Sequence, residues 1–151
     1  MADRHPRVSR RVAGDDDETW MREVHHAAFR EVVERQFGTW DEAQQDALFH
    51  SEWIETRFEV IECEGSRCGY VCIEDRDADV HVRIIVIAPE FQNRGIGTAI
   101  ILEAIEHARS RGVPVVLGTH HQNRAADLYR RLGFVQAGAT ETHRLFRLDP
   151  V

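Results

Sequence analysis

The stretch from Val80 to Thr98 constrains this chain more than any other. Val80 to Ala88 reads as a long strand, and its second half, Ile84 to Ala88, is almost continuously apolar. Such a run suits a central strand covered on both faces. Pro89-Glu90-Phe91-Gln92-Asn93-Arg94-Gly95-Ile96-Gly97-Thr98 then leads into an amphipathic helix that ends near Gly112. A helix N-terminus presents amides without intrahelical partners and a partial positive charge, which together attract anions. Gly95 and Gly97 allow close backbone approach to phosphate oxygens, and Arg94 adds a formal charge. The spacing Gln-x-x-Gly-x-Gly directly after an apolar strand therefore predicts a phosphate-binding turn.

The remaining pattern supplies the elements around it. Arg7 to Ala13 reads as a first strand, closed by Gly14. Asp15-Asp16-Asp17 opens a helix, where acids favour the positive end of the dipole. Trp20, Val24, Ala27, Ala28, Phe29, Val32 and Val33 continue it at helical spacing as far as Gly38-Thr39. Asp41 opens a second helix that runs to about Ile54. Phe58 to Cys63 and Cys68 to Ile73 form a hairpin across Glu64-Gly65-Ser66-Arg67. After the helix that ends near Gly112 come a strand at Val113 to Leu117, a short helix at Arg124 to Leu132, and strands at Val135 to Gly138 and Thr142 to Leu148. Gly133 suits the cap of that short helix.

Composition narrows the function. A chain of 151 residues, 42% hydrophobic and 30% charged, fits a single folded domain over 1–151 and is too apolar for disorder. The net charge of −7 argues against a general nucleic-acid binder. No apolar run reaches the roughly 18 residues of a membrane span, and the start lacks the apolar stretch of a secretory signal. Cys63, Cys68 and Cys72 do not have zinc-ligand spacing and read as buried reduced thiols of a cytoplasmic protein. The charge is uneven: 10 arginines face 20 acids up to Asp79, and 9 face 6 beyond it. Two ligand surfaces of opposite preference would produce that split, as would helices that simply carry more glutamate on solvated faces.

Gln92-x-x-Gly95-x-Gly97, followed by Leu128-Tyr129-x-x-Leu132-Gly133-Phe134, resembles the GCN5-related N-acetyltransferase (GNAT) superfamily. The resemblance implies an α/β (α+β) fold, with a mixed, twisted sheet of six or seven strands flanked by about four helices. The sheet would be splayed between strands 4 and 5 to admit acetyl-CoA. Ile85, Val86 and Ile87 would then offer backbone groups to the pantetheine arm. The pyrophosphate would sit on the amides of Asn93, Arg94, Gly95, Ile96, Gly97 and Thr98, near Gln92, and would need no metal. Tyr129 matches the position of a general acid near the CoA sulfur. His81 stands where many members carry a glutamate base, and imidazole titrates near neutrality. Glu59, Glu74, His120 and His143 are rival bases. The asparagine that contacts the cofactor falls on Gln122 by spacing and on Asn123 by chemistry.

The same resemblance implies that Phe29, Arg30, Phe37, Trp40, Trp53, Glu141 and His143 shape an acceptor pocket. The aromatics near Gly38 would either wall that pocket or pack the helix pair. An acidic first half suits a small cationic amine. Protein N-terminal or lysine acetylation and non-catalytic acyl-CoA binding are the alternatives, and a homodimer is common among such proteins. Adjacent histidines His25-His26 and His120-His121 point in different directions and make no chelate alone. A metal site would require residues from distant segments to converge, and none is expected.

Overall fold

The computed structural model of the chain describes residues 7–121 and 123–151. The elements are β1 (Val8–Val12), α1 (Glu18–Phe37), α2 (Glu42–Glu55), β2 (Glu59–Cys63), β3 (Ser66–Asp75), β4 (Val80–Ile87), α3 (Ile96–Arg111), β5 (Val115–His120), α4 (Ala125–Arg131), β6 (Val135–Ala139) and β7 (His143–Leu148). Their order is the expected one. The seven strands follow one another as β1-β2-β3-β4-β5-β7-β6. The β4–β5 pair is parallel, while β1–β2, β2–β3, β5–β7 and β6–β7 are antiparallel, so the sheet is mixed. Packing divides the chain into two units, each holding part of β3 and β4.

The first unit comprises residues 7–72 and Ile85–Ala99. Asp17 ties its entry together. The Asp17 carboxylate accepts two hydrogen bonds from Arg11, at 2.8 and 3.0 Å, one from Arg67 at 3.2 Å and one from the Gly14 amide at 2.9 Å. These donors hold its carboxyl well below the usual carboxylate range, with the Arg11 hydrogen bond the largest cause. Helix α1 ends at Gly38, whose φ of +87° suits glycine, and its amide bonds to the Glu34 carbonyl. Asp41 caps α2 by accepting from the Gln44 amide at 3.0 Å. Met21, Val24, Val33, Phe49, Phe58, Val60, Ile61, Tyr70 and Val71 are buried. Phe58 and Phe49 meet Tyr70 edge-on, and Trp53 stacks on Phe58. Trp53 is thus part of the packing.

The second unit comprises Ile73–Ile84 and Ile100–Val151. Ile100, Ile101, Ala104, Ile105 and Ala108 form the buried stripe of α3 at helical spacing. Val80, Val82, Val115, Leu117, Phe134 and Phe146 complete that core. The β4–β5 ladder joins Val80–Val82 to Val115–Leu117 and ends there, as a splayed pair requires. This ending corrects the expectation of a strand buried on both faces to its tip. Beyond Val82, Ile84, Ile85 and Ile87 are half-buried and Arg83 is exposed.

Three further expectations change. The hairpin turn contracts to Glu64-Gly65, with φ of +52° and +83°, which lengthens β3 at both ends. β5 starts later than expected and continues to His120, because its pairing with β7 extends to His120↔His143. Among the cysteines, Cys68 and Cys72 are buried but Cys63 is half-buried, and all three are free thiols. Burial pushes the Cys68 thiol up to about 11.

Candidate active site

The turn after β4 is held by its own backbone. The Ala88 amide donates to the Cys68 carbonyl at 2.8 Å, and Pro89–Phe91 form one 3₁₀ turn. The Gln92 side chain donates to the Ile87 carbonyl at 3.0 Å, anchoring the loop to the strand it leaves. Asn93 and Gly95 both have positive φ, +64° and +82°, on either side of Arg94. Left-handed residues in such a turn direct successive N–H groups into one concavity, a nest suited to anions. The Ala99 amide bonds to the Gly95 carbonyl at 3.0 Å, the first bond of α3. The amides of Ile96, Gly97 and Thr98 consequently precede the intrahelical ladder.

Gly97 carries the most informative absence of a side chain. A Cβ added there would meet only Ile87 Cγ1, at an ordinary 3.8 Å. Neither a close contact nor a left-handed backbone demands glycine at this position. Gly69 is the opposite case: a Cβ there would collide with the Val86 carbonyl. That close approach fixes the course of Ile85, Val86 and Ile87, of which Val86 is buried. The Ile87 carbonyl is already engaged by Gln92, which leaves the other backbone groups of the triplet as candidates for a ligand. Arg94 is exposed, its guanidinium 5.4 Å from the Phe91 ring centre.

In the second unit, His81 Nδ1 lies 2.7 Å from Glu74 Oε1. A carboxylate only accepts, so Nδ1–H donates and Nε2 is left as the basic nitrogen. The His81 hydrogen bond is the largest cause that holds the Glu74 carboxyl below its ordinary range, with Arg83, 3.7 Å away, contributing. Two residues that the sequence offered as rivals are therefore partners. The turn Asp75-Arg76-Asp77 between them was the signal that could have revealed the pairing.

Tyr129 is buried on α4, with its ring tilted against Phe134 and Phe146. Burial alone pushes its hydroxyl up to about 12, so it keeps its proton at neutral pH. Asn123 Oδ1 accepts from the Ala125 amide at 2.9 Å and thereby starts α4, and Gln122 lies outside the described residues. His120 and His143 face each other across β5 and β7 with ring centres 4.2 Å apart. Burial first, then His143 and His121, lower His120 to about 4; burial also lowers His143. The His120 ring is neutral at pH 7.

The acceptor candidates separate. Phe29 is half-buried against His25, and the Arg30 guanidinium lies 5.9 Å from the Trp40 ring centre. Trp40 Nε1 donates to Glu42 at 2.6 Å. Phe37, by contrast, is 57% exposed. Glu141 is exposed and His143 half-buried in the second unit.

Residues 55–136 match the model of the acetyltransferase (GNAT) domain. The chain belongs to this GNAT family. It is 38% identical to an uncharacterised N-acetyltransferase of Methanocaldococcus jannaschii over 103 residues, 58% of this chain and 45% of that protein. It is 30% identical to the mycothiol acetyltransferase of Streptomyces coelicolor over 145 residues, 91% of this chain and 44% of that protein. The chain thus spans less than half the length of the curated relatives it matches. Its fold resembles the PaiA N-acetyltransferase of Thermoplasma acidophilum in complex with coenzyme A, with a TM-score of 0.74, 14% identity, and coverage of 95% of this chain and 99% of that one. The seven strands and four helices are those of a GNAT domain, with β4 and β5 as the parallel pair. No helix among the described residues is long and apolar enough to cross a membrane.

Proposed function

We propose that this GNAT chain is an acetyl-CoA-dependent N-acetyltransferase that acetylates the primary amine of a small, cationic molecule by direct transfer. The observation that carries this reading is the turn from Asn93 to Thr98. Two left-handed residues and a glycine without a packing role leave a row of amides open to a diphosphate. Arg94 adds a charge at that turn, and Ile85 and Val86 offer backbone groups to the pantetheine arm. The mycothiol acetyltransferases among the relatives support a small-molecule acceptor. The excess of acids before Asp79 favours a cationic one. The free thiols fit a reducing cytoplasm.

The chemistry needs one base and one acid. Once solvent has taken the ammonium's first proton, His81 Nε2, with Nδ1–H fixed on Glu74, takes the proton that the amine sheds on becoming an amide, directly or through water, and releases it to solvent. The amine nitrogen attacks the thioester carbonyl, a C–N bond forms, and the tetrahedral adduct collapses with C–S cleavage. Tyr129 gives its hydroxyl proton to the departing thiolate and regains one from solvent. A hydroxyl raised by burial is a proton source that stays loaded until the thiolate forms.

The test is release of free CoA thiol from acetyl-CoA across polyamines, aminoglycosides, amino-sugar conjugates and peptides. Turnover on small cationic amines is expected. Turnover confined to peptides would replace the small-molecule acceptor with a protein one. Tight acetyl-CoA binding without any turnover would leave an acyl-CoA-binding module, and no binding at all would sink the reading.

A further inference from the structure

The convergence that the sequence did not predict occurs on the first two helices. His26 of α1 meets Glu42 and Asp46 of α2, and one ligand atom from each lies within 4.8 Å of the others. Glu42 and Asp46 are four residues apart, so they share one helix face. His26 Nε2 is 2.6 Å from Asp46 Oδ1 and 3.9 Å from Glu42 Oε1. We propose that these three side chains form a binding site for a divalent cation of the zinc class, joining α1 to α2.

The argument rests on donor type, spacing and support. One imidazole nitrogen and two carboxylate oxygens are a borderline donor set that suits Zn²⁺, with solvent completing the tetrahedron. Ligands about 2.1 Å from zinc lie about 3.4 Å apart in a tetrahedron. The two separations from Nε2 bracket that value, one shorter and one longer. Both carboxylates are largely solvent-accessible, with side-chain exposures of 63% for Glu42 and 47% for Asp46, so each has room to adjust. In the structure as it stands, Nε2–H donates to Asp46. A cation would take that proton's place, and the ring would carry its one proton on Nδ1 instead.

Each ligand is also held from behind. Trp40 Nε1 donates to Glu42 Oε2 at 2.6 Å, which leaves Oε1 facing His26. His26 Nδ1 lies 3.0 Å from His25 Nδ1, so one ring donates to the other. With a cation on Nε2, His26 Nδ1–H is that donor and His25 Nδ1 the acceptor. Outer contacts of this kind orient metal ligands and set their tautomer. The opposing charge is Arg22, whose Nε is 3.9 Å from Asp46 Oδ1 and whose exposed side chain can withdraw. The site lies wholly within the first unit and is independent of the acetyl-transfer reading.

Co²⁺ titration of the untagged full chain, followed by its visible d–d absorption, tests the site. One Co²⁺ per chain should bind with tetrahedral bands and be displaced by Zn²⁺. His26→Gln and Asp46→Asn should each weaken binding about tenfold or more, whereas His143→Gln should not change it. Zn²⁺ should raise the Tm of the parent and leave that of Asp46→Asn unmoved. Asp46 is exposed enough for its variant to fold if His26→Gln does not. Absence of binding at submillimolar Co²⁺ would overturn the proposal, as would unchanged affinity in Asp46→Asn.

Discussion

The turn from Gln92 to Thr98 and the pair formed by Glu74 and His81 are built in opposite ways. The turn presents main-chain groups, and its side chains serve mainly to shape it: Gln92 ties it to Ile87, and Gly95 permits a φ of +82°. The hairpin pair presents side chains on ordinary strand backbone, joined by one hydrogen bond of 2.7 Å. A backbone site is sensitive to conformation and to added bulk. A side-chain site is sensitive to the loss of one functional group. Substitutions in the first should therefore appear in cofactor affinity, and those in the second in kcat.

Gly97→Glu is expected to have the largest effect. A carboxylate above the amides repels phosphate and adds bulk there, so acetyl-CoA affinity by calorimetry should fall about 1,000-fold or more. Retained affinity would break the comparison outright. Tyr129→Phe should lower kcat about 100-fold with acetyl-CoA affinity unchanged, since in the proposed mechanism only the proton donor is lost. His81→Gln should lower kcat on a similar scale with acetyl-CoA affinity unchanged. Glu74→Gln should give a smaller loss, because an amide oxygen still accepts from Nδ1–H. A fall confined to affinity in any of these would show that the division is false.

Two further measurements address stability alone. Asp17→Asn removes the charge that Arg11 and Arg67 share and should cost about 2 kcal/mol in denaturant unfolding, with kcat intact below the transition. His120 supplies the smallest effect. Its folded pKa lies below the unfolded one, so the neutral ring contributes stability that is fully present above about 6.5. That stability is lost as pH falls towards about 4, through uptake of the proton in the unfolded chain. The loss should be about 1–2 kcal/mol by pH 4, and His120→Gln should flatten the profile over that window.

Much of this was legible before any coordinates. The order of the elements follows from periodicity and from Gly38, Asp41 and Gly112 as punctuation, because caps and turns are local events. The left-handed turn before α3 was legible for the same reason: strand, glycine spacing and helix are contiguous. The length of β5 was not, since His120 is strand only through its partner His143, separated by a helix and another strand. The pairing of Glu74 with His81 was half-legible, as the turn between them is short but its register is not written in composition. Trp53 could wall a pocket or pack the helix pair on sequence alone; it is half-buried and stacks on Phe49 and Phe58, which the spacing did not decide.

The division has one physical cause. The sequence by itself determined whatever depends on a few consecutive residues: where helices start, where the backbone turns left-handed, and that a row of amides opens after β4. Tertiary structure decided everything that needs groups from separate segments to meet. It brought Glu74 to His81, set His120 against His143, and gathered His26 with Glu42 and Asp46. Hydrogen bonds, depressed pKa values and metal chelation all fall off within a few ångströms, and distance in sequence does not measure distance in space.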